Sequence, residues 1–431
     1  MRRDCSHPSA VRPGSAKSSL SSAICCNSGR AWRMRISSIP AETVASRGAG
    51  ATQGAAAGGS TAMVFSVRRI VTGIDAHGQA VFVSDGPPPR LIEAPTGTAV
   101  ADLWNLFAPP TDPSDGGDPP AGPFELEPKP GGLWWRLIRM PLPDSSLPRE
   151  QQFLAPSNDN RFSKEKRGMH RTDSVDLMLV VDGRIELEVD HGVRELGAGD
   201  CVVQRGTMHR WRVVGDRPCT YLTAMLATDR TASAPTIDLA PRPTVVATGQ
   251  APRRVVTGVD PLGRSIILTD GEAPTSVVFE HGAGMMYSAL WESGGAIASP
   301  LQGGDPPVSY LQLDPLGMGV SWKYLVLPSD SARRGIDGPK LRAEMQALAS
   351  GMAATGHHDP NDPGNHRTDT IDLDYILEGD VELELPGHGS VRLGPGDCVV
   401  QRGNWHKWHN RGDTPMRMLA ILVGAPIGGR R

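Results

Sequence analysis

The chain has 431 residues, with 44 Lys and Arg against 47 Asp and Glu and a formal net charge of −3. This near-balance, with no basic stripe interleaved with aromatics, argues against nucleic acid as a partner. No segment approaches the ~20 apolar residues of a membrane span, which argues against a membrane protein. Glycine and proline, 50 and 38 residues, outweigh an aromatic share of 5%, a composition of short strands and many turns.

Residues 1–62 are rich in Ser, Ala, Gly and Arg, carry eight basic residues against two acidic ones, and show no apolar periodicity. They read as a disordered tail or as sequence upstream of a start at Met63, with an organelle transit peptide as a third reading. From residue 64 the chain repeats itself. RRIVTGIDAHG at 68–78 matches RRVVTGVDPLG at 253–263, and Trp104, Trp135 and Trp211 match Trp291, Trp322 and Trp408. The expected organisation is an N-terminal domain over 64–240 and a C-terminal domain over 251–427, each long enough for its own core. Proline-rich stretches at 108–123 and 359–364 are loops.

Within each repeat, apolar residues alternate with acids at Ile185, Leu187 and Val189, and again at Val381, Leu383 and Leu385. That period of two predicts half-buried strands. Turns follow at His191-Gly192 and His388-Gly389, so these histidines read as turn residues. CVVQ then forms an apolar strand in both copies, and TYLTAMLA and MRMLAILVGA close the repeats. The one strong helix signal runs from Gly338 to about Thr355. Its role is left open between a lid over the second site and a helix packed outside a sheet. Cys201 and Cys398 occupy equivalent apolar strands and read as buried thiols, not as a disulfide framework. A reducing, cytoplasmic location is the expectation. The fold class expected is all-β, closed or double-sheet, with little helix.

Two phrases carry the chemistry. HRTDSVDLMLVVDG at 170–183 recurs as HRTDTIDLDYILEG at 366–379, and GDCVVQRGTMH at 199–209 recurs as GDCVVQRGNWH at 396–406. If each first phrase is one strand, His170, Thr172 and Asp176 share a face, as do His366, Thr368 and Asp372. His209 and His406 would supply a third ligand from across the barrel. Two imidazoles and a carboxylate form a set for a divalent transition metal, with Fe(II) favoured and Mn, Ni or Zn as alternatives. In this reading His170, Asp176 and His209 form one site and His366, Asp372 and His406 the other. The duller reading is a retired site in which these groups only hydrogen-bond.

These phrases resemble the two motifs of the cupin family, and their duplication resembles a bicupin. H-x-T-x3-D-x6-G stands at 170–183 and 366–379, closing on Gly183 and Gly379. The second motif runs from Gly199-Asp200 to His209, and from Gly396-Asp397 to His406 with Asn410. The resemblance implies two tandem jelly-roll barrels. Departures are visible: the family's second His is Thr172 or Thr368, its Glu is Asp176 or Asp372, and the motif-two proline is replaced by an Arg-Gly turn. The HRTDT/QRG variant resembles small cupins, some assigned as oxidoreductases in fungal polyketide pathways, which implies small-molecule metabolism.

The repeats are unequal. Asp374, Trp405, Asn410 and Tyr375 in the second face Met178, Met208 and Val213 among the aligned positions of the first. The C-terminal site is therefore the expected catalytic one, with Asp374, Tyr375 and Arg402 as candidate catalytic residues. Arg205 and Arg402 have two open roles, clamping a substrate carboxylate or stabilising a turn. Thr172 and Thr368 are open between holding a metal-bound water and serving as β-formers. Asp173 and Asp369 are expected at the surface, and Trp211, Trp405 and Trp408 in the core or at a pocket mouth. His357, His358 and His409 have no counterpart His and rank low. The function expected is a metal-dependent oxidoreductase, isomerase, dehydratase or decarboxylase of a small organic molecule. The alternative is a barrel that binds a small ligand without reaction. The partner expected is a small-molecule substrate, and the chain would be a monomer with its two barrels paired, or a homo-oligomer.

Overall fold

A computed structural model describes residues 65–113, 125–152, 161–230, 251–273, 275–293, 305, 315, 317–348, 357–359, 361–362 and 364–425. The expected tail at 1–62 lies outside the described residues. The first half contains β1 (Arg69–Ile74), β2 (Ala80–Gly86), β3 (Arg90–Glu93), β4 (Ala99–Leu106), β5 (Leu133–Met140), β6 (Ser174–Asp182), β7 (Arg184–Val189), β8 (Gly192–Gly197), β9 (Cys201–Arg205), β10 (His209–Val214) and β11 (Cys219–Ala227). The second contains β12 (Arg253–Val259), β13 (Ser265–Glu272), β14 (Thr275–Val278), β15 (Met286–Glu292), β16 (Val320–Leu327), α1 (Asp330–Arg333) and α2 (Gly338–Leu348). It continues with β17 (His357–His358), β18 (His366–Arg367), β19 (Thr370–Glu378), β20 (Val381–Leu385), β21 (Gly389–Leu393), β22 (Cys398–Arg402), β23 (Lys407–Asn410) and β24 (Met416–Gly424). The all-β architecture is as the patterning predicts.

Each barrel is a large sheet closed by a small one. In the N-terminal barrel an eight-stranded sheet, β13-β12-β9-β6-β11-β5-β4-β3, faces the three-stranded sheet β10-β7-β8. Between them lie Met178, Val180 and Val202 from the large sheet and Ile185, Leu187 and Leu196 from the small one. These are the inward residues of the predicted alternation. In the C-terminal barrel the sheet β14-β15-β16-β24-β19-β22-β1-β2 faces β21-β20-β23. Ile376, Val399 and Met418 there meet Val381, Leu383 and Trp408.

The repeats of the sequence and the sheets of the fold are different sets of residues. Hairpin β1–β2 of the first repeat sits in the C-terminal barrel, where β1 runs parallel to β22. Hairpin β12–β13 of the second repeat sits in the N-terminal barrel, where β12 runs parallel to β9. The exchange reaches both cores: Ile70 belongs to the C-terminal cluster and Val255 to the N-terminal one. It also stitches the two large sheets together. The buried Arg69 on β1 donates from Nη1 to the Leu103 carbonyl on β4, 2.8 Å away. Arg254 on β12 does the same to Leu290 on β15, at 2.8 Å.

The helix from Gly338 is observed to Leu348. Leu341 and Met345 pack against Val277, Phe279 and Met285. Glu344 accepts from the backbone N–H groups of Glu280 (2.7 Å) and His281 (3.1 Å). The described part of the helix is thus fastened to the β14–β15 turn, the outside-packing role of the two left open. Among the described residues no helix is long and apolar enough to cross a membrane.

Candidate metal centre

The histidines reach the site by a route different from the one expected. The segments 170–176 and 366–372 are not single strands. His170 pairs as a lone antiparallel bridge with His209, then the chain turns a corner before β6 begins at Ser174. In the second repeat β18 ends at Arg367 and β19 starts at Thr370. The shared-face argument therefore fails across the corner, because the period of two holds only within an unbroken strand.

The bridge still brings the two imidazoles of each unit together. His170 N donates to His209 O (2.9 Å) and His209 N to His170 O (2.8 Å), leaving the ring centroids 4.4 Å apart. His366 and His406 repeat the arrangement at 3.0, 2.9 and 4.3 Å. All four rings are oriented alike. Nδ1 meets the carbonyl oxygen two residues earlier: His170 to Gly168 at 2.8 Å, His209 to Thr207 at 2.9 Å, His366 to Gly364 at 3.0 Å and His406 to Asn404 at 3.0 Å. A carbonyl only accepts, so Nδ1 carries the proton and the lone pair sits on Nε2; at His209, where Gln204 Nε2 also lies 3.1 Å from Nδ1, this requires the Gln204 amide to turn its unpartnered oxygen to the ring. Burial lowers the pKa of His170 and pushes His209 and His406 down to about 3, the neighbouring His adding to the effect in the last two. These three shifts favour the neutral ring, the form a metal requires.

The aspartates stand apart. Asp176 accepts from Ser174 Oγ at 2.6 Å and from Thr172 Oγ1 at 3.5 Å. Asp372 accepts from Thr370 Oγ1 and, at 3.3 Å, from Thr368 Oγ1. Thr172 and Thr368 thus hold the carboxylate, a third role beside the two left open. Among the described residues, no three His, Cys, Asp or Glu side chains form a group able to hold a metal ion. Of the candidate donors, the imidazole pair alone is brought together. The two-His, one-Asp triad is not assembled here.

Register places the inner wall of each barrel in rows. Across the C-terminal sheet one row runs Glu292, Ser321, Leu422, Asp372, Gln401, and the next runs Ala289, Lys323, Ala420, Asp374, Val399. The N-terminal rows read Asn105, Trp134, Met225, Asp176, Gln204 and Asp102, Arg136, Thr223, Met178, Val202. Trp134 and the Arg136 guanidinium above its ring, 3.9 Å from the centroid, fill the N-terminal wall. The C-terminal wall has Ser321 and Lys323 there. Burial raises the pKa of Glu292, opposed by the Lys323 charge, and raises that of Asp374 strongly, with Asp372 adding to it.

Asp374 thus points into the C-terminal barrel beside Asp372. Tyr375 and Arg402 do not join it. Tyr375 lies on the opposite face of β19, opposite Cys398, and Arg402 reaches toward the other barrel, 5.5 Å from the Trp104 ring centroid. Asn410 is structural, donating to the carbonyls of Leu327 (3.1 Å) and Thr414 (2.9 Å). Trp211 packs on the N-terminal core and Trp408 lies within the C-terminal one, each edge-on to its His. Trp405 lies beneath the Arg367 guanidinium, with 5.5 Å to its ring centroid. Asp173 pairs with Arg230 at 2.5 Å. His409 sits between Glu384 (2.6 Å) and Asp330 (3.5 Å). His358, which ranked low, stacks on His366 with centroids 5.7 Å apart, where Phe162 stacks on His170 at 4.9 Å. Lys323, Glu292 and Gln401 were missed because charged or amide residues alternating in a strand read as a solvated face. Beside the N-terminal site a cavity of about 230 Å³ is lined by Glu127, Arg161, Asp173, Thr228 and Arg230, among others.

Two sandwiches of this topology, each bringing its motif histidines together, define a two-domain cupin. The chain carries two cupin domains, matched at residues 163–225 and 357–422. Oryzines biosynthesis cluster protein J of Aspergillus oryzae is 40% identical over 70 residues, which is 16% of this chain and 39% of that protein. A cupin-domain-containing oxidoreductase, srdB, of Neurospora crassa is 43% identical over 60 residues, 14% of this chain and 30% of its own length. The chain thus spans about a third of the length of these relatives. The crystal structure of AerE from Microcystis aeruginosa aligns over 78% of this chain and 97% of its own, at 11% identity and a TM-score of 0.36.

Proposed function

We propose that each barrel binds one divalent transition metal at its imidazole pair, Fe(II) being favoured over Mn, Ni or Zn. We propose further that the C-terminal barrel is the working site of a small-molecule enzyme. The observation that carries the metal reading is the common orientation of the four histidines, each with Nδ1 tied to a carbonyl and its lone pair on Nε2. That is how metal-ligating imidazoles are oriented by their second hydrogen bond. The oxidoreductase wording of the Neurospora relative agrees with such an activity. A metal held there would supply a Lewis acid with open positions.

The chain's own groups favour the C-terminal barrel. Lys323 offers an ammonium to a carboxylated substrate, and Asp374, its pKa raised by burial and by Asp372, is the candidate proton donor on the same wall. The N-terminal barrel has Met178 and the Trp134-Arg136 stack at these places. A second reading, ligand binding without reaction, is favoured by the aspartates standing outside the imidazole pairs.

The test is elemental analysis of the purified full chain beside His170→Ala and His366→Ala. Two equivalents in the parent, one lost per variant, are expected. No metal after reconstitution with Fe(II), Mn(II), Ni(II) and Zn(II) refutes the metal reading and leaves the binding one. Retention of both equivalents in His366→Ala refutes the assignment of the ligands.

A further inference from the structure

Each barrel's histidine loop is fastened to a hairpin that belongs to the other repeat. Thr72, on β1 of the first repeat, is fully buried in the C-terminal barrel. Its Oγ1 lies 2.7 Å from Gln401 Oε1, 2.5 Å from Asn404 Oδ1 and 3.3 Å from the Val400 carbonyl. Asn404 is the residue whose carbonyl accepts from His406 Nδ1. A hydroxyl has one proton, so Thr72 donates to one amide and accepts from the other when that amide presents its nitrogen. Turning the Gln401 amide over would bring its buried Nε2, which has no partner among the described residues, to the place its oxygen holds beside Thr72.

The N-terminal barrel is the mirror case. Thr257, on β12 of the second repeat, is fully buried and accepts from Arg205 N at 3.0 Å. Its Oγ1 lies 3.0 Å from Thr207 Oγ1, and the Thr207 carbonyl accepts from His209 Nδ1. Among the described residues one further brace is found here and not in the C-terminal barrel: Ser265 Oγ on β13 accepts from Met208 N at 2.8 Å. The equivalent of Ser265 at the start of β2 is Ala80, which has no hydroxyl.

We infer that Thr72 is a positioning residue for His406 and Thr257 for His209, so that each repeat sets a histidine in the barrel formed mainly by the other. The geometry makes the dependence crossed and unequal. The C-terminal loop hangs on one hydroxyl of the exchanged hairpin, the N-terminal loop on two. The positioning stands on hydrogen bonds alone; its consequence for metal affinity rests on the proposed metal reading.

The experiment uses the full metal-free chain as Thr72→Val, Thr257→Val and the two Thr→Ser variants. Amide exchange is followed by mass spectrometry on peptides spanning 402–410 and 205–213. Valine keeps the shape and removes the hydroxyl, stranding buried polar partners. Thr72→Val is expected to speed exchange over 402–410 about ten-fold or more. The same variant should leave 205–213 at the parent rate. Thr257→Val should do the reverse by a smaller factor, and serine should restore the parent rate at both places. Co(II) titration in the His170→Ala background, where only the C-terminal pair remains, should show weaker binding for Thr72→Val and unchanged binding for Thr257→Val. Loosening of both loops by either variant, of the loop in the same repeat, or of neither overturns the inference. Crossed exchange in a protein that binds no cobalt upholds the positioning and refutes the metal reading. Should Thr72→Val fail to fold, Thr257→Val carries the same test in mirror image.

Discussion

Asp176 allows a prediction with both a sign and a size. Its carboxyl lies on the inner wall of the N-terminal barrel, and burial raises its pKa from the ordinary 3.8 to about 7, against the pull of its Ser174 and Thr172 hydrogen bonds. A carboxyl raised on folding stabilises the folded state fully at pH values below its unfolded pKa. That contribution is lost as the pH rises toward 7, where the unfolded chain ionises it freely and the barrel does not. At about 1.4 kcal/mol per pH unit the whole effect is ~4 kcal/mol, of which about 3 kcal/mol falls between pH 5 and pH 8. Asp176→Asn removes the titration and keeps an oxygen for Ser174. Urea unfolding of the metal-free protein and of the variant, at half-unit steps over that range, measures the difference between them. The parent should lose stability relative to the variant as pH rises, by about 3 kcal/mol in all. Any fixed cost of the substitution appears equally at every pH and does not enter. A pH-independent difference would refute the claim that this carboxyl is held in a dry wall.

Three further outcomes follow from the packing. Asp102→Ala leaves the buried Arg136 without its 2.5 Å carboxylate partner, and should cost about 3–5 kcal/mol by denaturant midpoint. Gly183→Ala, with φ at +80° and a new Cβ 2.4 Å from the Pro218 carbonyl oxygen, should destabilise far more than Gly199→Ala, whose φ is +94° with open space around it. Thermal scans of the two variants compare a clash plus strain with strain alone. Cys201, Cys219 and Cys398 are buried, and burial raises all three thiols, so they should react with an aromatic disulfide reagent only at the rate of unfolding.

Much of this fold was legible because its strands alternate. Ile185, Leu187 and Val189 face the core as their spacing requires, and the closing glycines sit where a side chain would meet the next strand, as Gly183 and Gly379 show. The hairpin exchange was not legible, and the reason is physical. RRIVTGI and RRVVTGV are nearly the same strand, so either fits beside CVVQ of either repeat, and only the tertiary arrangement selects the partner. The pairing of His170 with His209 was anticipated as a site, but not the corner that separates each His from its Asp. A corner of two or three residues leaves no mark on apolar periodicity. Lys323 and Glu292 were invisible for a related reason, since the alternation that puts polar residues outward in most strands puts these two inward.

The exchange also bears on how the chain is made. Thr72 and the Val400 carbonyl it reaches are 328 positions apart. Hairpin β1–β2 therefore leaves the ribosome long before the sheet that receives it exists, and its unpaired edge waits through the synthesis of an entire barrel. The first barrel waits too, since its sheet is complete only when β12–β13 has emerged. Pairings of such long separation fold slowly, and an open strand edge is a template for a wrong neighbour. Two chains emerging side by side each offer the other a near-identical hairpin. Crowded synthesis should therefore favour tangled dimers, and slowing translation beyond the first repeat would lengthen the window in which they form.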